Sequence, residues 1–599
     1  MQKRLTRAEV PVEMTWDLTH IFPTPEAWEA AFAAVEGGIA SVTRYRGTLG
    51  QGATTFLACL EAEEELRKRF IPVMSYASLG LATDGTSAAN QVAAGRVGAL
   101  MARLQAETSF IRTEPLALPE GTLERYMAAE PGLEPFRRTI ERMLEEKPHI
   151  LGAETEVALA ALGEVLDAPG MIYNRSKASD LAFDPVTDKN GTVLPMSFPG
   201  YEGRYERSAD AILRRHAYAS FTKGLKAYKN TYAAGWATEV KKNVVLARLR
   251  GYRSATHMIL SRQEVTEDVY HRLHDIILTE LAPHMRRYTE LRKRVLGLDK
   301  LLYCDIEAPL DPEYSPETTY ETASEVIIQG LSVLGPEYTA IIEEGLRSRW
   351  IDRADNVGKR SGAFCNTVYG VHPYICMTWT GNMRNALTLS HELGHGGHGV
   401  LSQRYQRLSN TRASMFFVEA PSTINEILVG QSILERSTDA RMRRWVMMQL
   451  LATYHHNFVR HLIEGELQRR TYVLAEKGRP LTEATLSKIQ GEILAEFWGD
   501  TVEIDDGARL TWMRQGHYYS GLYPYSYSAG LTVGTSVAQA IQQDGQPAVD
   551  RWLGVLKAGG TKKPLELAKM AGVDMTKPDP IRKAVSFVGW LVDEVVKSF

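Results

Sequence analysis

Residues 386–399 read ALTLSHELGHGGHG, and this stretch decides how the rest of the chain is read. His391-Glu392-Leu393-Gly394-His395 sets two imidazoles four residues apart with a glutamate between them. On an α-helix, residues at that spacing lie about 40° apart around the axis and about 6 Å along it, so both rings reach one ion. Glu392 falls about 100° round from His391, where its carboxylate meets a water beside the ion rather than the ion itself. The stretch therefore predicts a helix carrying two metal ligands, His391 and His395, and a general base, Glu392.

With 15 histidines in 599 residues, such a pattern arises by chance in roughly three chains of this size in a hundred. A catalytic zinc also needs a third protein ligand and one open position. His398 is near, but its Cα would lie about 10 Å along the axis from His391, so it reaches the ion only if Gly396-Gly397 breaks the helix. Position 401, where a third histidine would suit a ten-residue spacing, is leucine. The other candidate is Glu419 in MFFVEAPSTINEILVG (415–430), an acid inside an apolar run. A buried carboxylate asks for a partner, and metal ligation supplies one. The alternative is a carboxylate placed at the start of the helix that Pro421 begins. Glu426 lies seven residues further on the same face, either orienting a ligating histidine through its second ring nitrogen or standing on the helix surface.

Working outward, GAFCNTVYGVHPYICMTWTG (362–381) precedes the motif, lacks helical periodicity and reads as one or two strands. The regions on either side are helical in pattern. FLACLEAEEELRKRF (56–70) and PFRRTIERMLEEK (135–147) typify the N-terminal part, RRWVMMQLLATYHHNFVRHLIEGEL (443–467) the C-terminal part. Between them, LAFDPVTDKNGTVLPMSFPG (181–200) changes character, with a hairpin turn expected at Asp188-Lys189-Asn190-Gly191. The expectation is a predominantly α protein with a small β element beside the metal helix, divided into an N-terminal helical lobe of residues 1–195 and a catalytic part of residues 196–599.

The net charge of −3 arises from 69 basic and 72 acidic residues without a basic block, which argues against nucleic acid as a partner. Four scattered cysteines form no CxxC pair and read as free thiols in a reducing compartment. The basic N-terminus is followed by no apolar h-region, and no window of about 18 apolar residues occurs, so the cytoplasm rather than a membrane is the expected location.

Taken together, the metal motif and the segment Phe417-Val418-Glu419-Ala420-Pro421-Ser422 resemble the oligopeptidase family that includes oligoendopeptidase F and the thimet oligopeptidases. WIDRADNVGKRSGAF (350–364) and HYYSGLYPYSYSAG (517–530) are similar to oligoendopeptidase F signatures, and the resemblance runs through most of the chain. It implies one zinc ion per chain held by His391, His395 and Glu419, with Glu426 in support. It also implies two helical lobes enclosing a deep channel that admits short unfolded peptides. In that family a histidine and tyrosines after the zinc helices hydrogen-bond the carbonyl under attack. The motif match favours His517 and Tyr525 for this role, with Tyr518 and Tyr523 as further substrate contacts, while packing between helices is the alternative for at least half of the tyrosines in this tract. Pro524 and Leu522 depart from the commoner pattern, which bears on subsite geometry. The strand around Val371 to Thr380 resembles the family's active-site edge strand, the alternative being an internal structural hairpin. An endopeptidase is the expected activity. An exopeptidase trimming peptide ends, and a helical scaffold with structural zinc, are the alternatives.

Overall fold

The computed structural model describes residues 4–599. In the N-terminal part, α1 (Ala53–Thr83) packs on α2 (Ala88–Thr108). Phe56, Leu60, Leu66 and Phe70 recur at helical spacing on α1 and meet Val97 and Leu100, opening an apolar cluster that continues to Met143. A second, larger cluster starts at Tyr173 on α3 (Ala168–Ser179), takes in α4 (Ala211–Leu249) and runs to Val595. Each fully buried large apolar side chain in these clusters is worth about 1.5–3 kcal/mol over leaving it in water.

The expected hairpin is present. β1 (Val186–Thr187) and β2 (Val193–Leu194) pair antiparallel. Asp188 Oδ1 accepts the backbone N–H groups of Asn190 and Thr192, each at 2.8 Å, and Gly191 supplies the left-handed residue at φ 79°.

Residues 350–376 form a three-stranded sheet in the order β3 (Ile351–Asp352), β5 (Pro373–Cys376), β4 (Phe364–Thr367). β3 runs parallel to β5 and β4 antiparallel to it. β5 is thus paired on both sides and buried at all four residues, so the segment expected to be the active-site edge is the centre of the sheet. β4 is the edge that faces the cavity. The two-residue β3 is too short to be read from sequence, yet it is what closes off β5.

A knot of buried charge ties this sheet to the N-terminus. Asp352, fully buried, accepts from Lys359 Nζ at 2.7 Å and from Arg7 at 2.5 Å. Lys359 Nζ also donates to the carbonyls of Asp352, Ala354 and Met377 at 3.0, 2.7 and 2.7 Å. Asn356 Nδ2 donates to the Thr83 carbonyl at 2.8 Å, holding the end of α1. Trp16, Leu79, Val368, Tyr374 and Cys376 pack over the same junction.

The metal-motif segment lies on α5 (Met383–Tyr405), whose N-cap Asn382 accepts the Asn385 N–H. α5 continues unbroken through its glycines, which serve close packing instead of a break. A Cβ at Gly394 would stand 2.4 Å from the Pro421 carbonyl oxygen, and one at Gly399 would stand 2.2 Å from the Thr367 hydroxyl. Against α5 lies α6 (Ala420–Arg436), followed by α7 (Ala440–Tyr454), α8 (His461–Glu476) and, beyond, α9 (Pro524–Asp544). Among the described residues no helix is long and apolar enough to cross a membrane.

Candidate active site

Because α5 is unbroken, His391 and His395 share one face, with ring centroids 5.1 Å apart. Glu419 is the residue just before α6, and its side chain makes no cap hydrogen bond to the helix backbone. Its Oε2 instead lies 3.5 Å from Nε2 of both His391 and His395 and accepts from Ser422 Oγ at 3.0 Å. One ligand atom from each of the three residues falls within 4.8 Å of the others. A tetrahedral ion with bonds of about 2.1 Å separates its ligand atoms by about 3.4 Å, so this donor set fits a single ion. His398 stays outside the group. It is buried on the same helix, where burial pulls its pKa down to about 4.

Glu426 Oε1 meets His391 Nδ1 at 2.6 Å, and its other oxygen accepts from Thr453 at 3.0 Å. That contact fixes the ring so that Nε2 faces Glu419, the arrangement expected of a residue that orients a metal ligand. Burial disfavours a charged His391, but the hydrogen bond and charge of Glu426 overcome it and hold the imidazole up to about 10. Burial also works against ionised Glu419, yet the charge and hydrogen bond of His395, with His391 and Ser422, keep it down at about 2. Glu392, 5 % exposed, has its pKa raised by burial and by the charges of Glu419 and Glu426, against the opposing pull of the two histidines.

These groups open on a cavity of about 1700 Å³ whose wall includes β4, the exposed face of α5, and His517, Tyr523 and Tyr527. The tyrosine tract sorts by helix geometry. Pro524 starts α9, so Tyr523 and Tyr527 are four residues apart on one face and Tyr525 points the other way. That face continues into Gly530, where a Cβ would stand 2.8 Å from the Glu419 Cβ, which brings the two tyrosines towards Glu419. Their rings are 5.1 Å apart, and Tyr523 lies 4.7 Å from the ring of His517. Tyr525, favoured from the motif, instead donates its hydroxyl to Gln263 Oε1 at 2.6 Å within the core. Tyr518 is likewise buried, against Trp236 at 5.0 Å. Tyr527 is the residue the motif match passed over, and the i, i+4 spacing from Tyr523 was the signal that marks it.

Behind Tyr527 the ring of His461 stacks at 4.1 Å, held by Glu464 at 2.8 Å. Burial and the neighbouring His461 bring His517 down to about 4, so it is neutral at physiological pH.

With this geometry in place, comparison with known proteins is decisive, since the model for peptidase family M3 matches residues 204–587. The chain belongs to that family. The N-terminal model of oligopeptidase F matches residues 114–183. The chain is 32% identical to oligopeptidase PepF of Bacillus subtilis (strain 168), over 98% of its own length and 88% of that protein's. It is 28% identical to the group B oligopeptidase PepB of Streptococcus agalactiae (serotype III, strain NEM316), over 96% and 95% respectively. Among solved structures, oligoendopeptidase-F from Enterococcus faecium superimposes with a TM-score of 0.75 at 27% identity, covering 96% of this chain and 99% of that one. This family member is a metalloendopeptidase.

Proposed function

We propose that the chain is a zinc-dependent endopeptidase that hydrolyses internal bonds of short unfolded peptides, with one ion held by His391, His395 and Glu419. The observation that carries this reading is the convergence of those three donors at zinc-like separations beside Glu392 on a cavity wall. A bound ion there supplies Lewis acidity, polarising the scissile carbonyl and lowering the pKa of water to about 7. Glu392 takes the proton from the attacking water and delivers it to the leaving amine, so no covalent intermediate forms. His517, neutral, and the hydroxyls of Tyr523 and Tyr527 donate hydrogen bonds to the oxyanion that develops on the carbonyl. Burial pushes the pKa of both phenols upward, which keeps them protonated as donors. Tyr525 and Tyr518 support the wall from behind.

The cavity exceeds the roughly 300–1,000 Å³ of small-molecule pockets, and the edge of β4 offers backbone pairing to an extended peptide. A channel between lobes of this kind admits peptides and excludes folded proteins. For the division into an N-terminal lobe (1–195) and a catalytic part (196–599), support comes from the interval 184–203 between the two matched models. The apolar clusters divide earlier, between Ile150 and Tyr173. The four unpaired thiols support a reducing, cytoplasmic location.

The test is hydrolysis of a ten-residue peptide blocked at both ends, followed by mass spectrometry, with chelator and with zinc restored. Internal cleavage that stops with chelator and returns with zinc is expected. Trimming only of unblocked peptides would make the protein an exopeptidase.

A further inference from the structure

Arg384 is a cation on the cavity wall that forms no ion pair among the described residues. It is on α5, seven residues before His391, which places it on the same helix face and about 10 Å along the axis from the His391 Cα. It lines the cavity and is exposed to it. Among the described residues it forms no ion pair, and its hydrogen bond goes to a neutral group, Gln449 Oε1, at 2.8 Å. Its position is also unfavourable for a cation. It is in the first turn of a 23-residue helix with no acidic residue there, against the positive end of the helix dipole.

The carboxylates around it are engaged elsewhere. Glu426 is held by His391 and Thr453 at 2.6 and 3.0 Å. Glu307 is held by His455, Arg460 and Arg207 at 2.9, 3.2 and 3.3 Å. Arg207 also lines the cavity, paired with Glu307. The packed walls around the cavity, by desolvation, and the charge of Arg207 draw the pKa of Arg384 down, against the pull of Glu426 and Glu307.

We propose that Arg384 is a carboxylate-binding subsite of the substrate channel, selecting peptides that carry an acidic side chain or a free C-terminus about three residues from the cut bond. The guanidinium fork matches a carboxylate with two parallel hydrogen bonds. An extended peptide advances 3.2–3.4 Å per residue, so 10 Å corresponds to about three residues. This builds on the peptidase reading only in taking the occupant to be a peptide.

The experiment measures binding, separately from turnover. Glu392→Gln protein, zinc-loaded, is titrated calorimetrically with doubly blocked decapeptides in which a single Asp or Asn is walked through all positions, and with one sequence ending in a free or an amidated C-terminus. Binding about tenfold tighter for Asp at one position, or for the free C-terminus, is expected, and the arms tell the two sources apart. Adding Arg384→Gln should bring the ratio to within about twofold, while Arg384→Lys retains part of it. Equal affinity across every pair, no binding of any peptide, or a preference that survives Arg384→Gln would overturn the subsite. Cleavage of an uncharged blocked peptide by the unsubstituted enzyme is assayed in parallel. Its failure would count against the endopeptidase reading and leave the binding result standing.

Discussion

Two groups of charged side chains, one around Asp352 and one around His391, show how differently this protein uses charge. At Asp352 the charges are closed on themselves. Both carboxylate oxygens are taken, by Lys359 and Arg7, and the Lys359 ammonium reaches three carbonyls besides. Nothing there is left to bind a ligand, and the knot fastens the N-terminal segment to the sheet. At His391, His395 and Glu419 the donors converge instead, three lone-pair-bearing groups around one point, with a further carboxylate, Glu392, beside them on the cavity. A satisfied set of charges holds structure, whereas convergent donors at these separations suit a bound cation.

Glu392→Gln should break the second region's chemistry alone, lowering kcat about 10²–10⁴-fold with metal content and thermal unfolding unchanged; loss of bound zinc in this variant would show that Glu392 acts as a ligand. Asp352→Asn should do the reverse. It leaves Lys359 buried without a counter-ion, so chemical denaturation should show about 3–5 kcal/mol less stability, with kcat per folded molecule retained. If activity fell before stability did, the sheet and the metal helix would be one functional unit.

Within the site, the tyrosines sharpen the contrast between cavity and core. Tyr523→Phe and Tyr527→Phe should each lower kcat by about 10²-fold with little change in KM, while Tyr525→Phe, which loses only the Gln263 hydrogen bond, should change kcat by less than about threefold and appear as about 1 kcat-independent kcal/mol of stability. The opposite ranking would restore the motif-based choice of Tyr525. Glu426→Gln should weaken zinc binding about 10–100-fold in a competition titration with a chelating dye, and unaltered affinity would reduce Glu426 to a packing role.

The reading from sequence went furthest where chemistry depends on spacing along one element. The HExxH interval, the strands before it and the hairpin at Asp188–Gly191 all follow from local geometry, and they are found where expected. Glu419 was legible because an acid in an apolar run needs a reason, although its two readings prove to share one place: it precedes α6 and its carboxylate turns to the histidines. The strand expected at the edge is central, and the tyrosine favoured from the motif points into the core, for a common reason. Both depend on which neighbour covers which face, and a two-residue strand such as β3 leaves almost no trace in a sequence.

What the sequence determined by itself is the local part: a helix with two imidazoles and a base on adjoining faces, a carboxylate that burial obliges to find a partner, and a largely helical chain around them. Periodicity and the cost of burying charge act within one segment, so one segment suffices to read them. Tertiary structure alone decided that Glu419 meets both histidines, that β4 and not β5 borders the cavity, that Tyr527 faces the cavity while Tyr525 turns away, and that Arg384 forms no ion pair among the described residues. Each of these is a relation between segments far apart in the chain, set by close contacts such as Gly394 on Pro421 and Gly530 on Glu419, where the absence of one methyl group lets two elements approach.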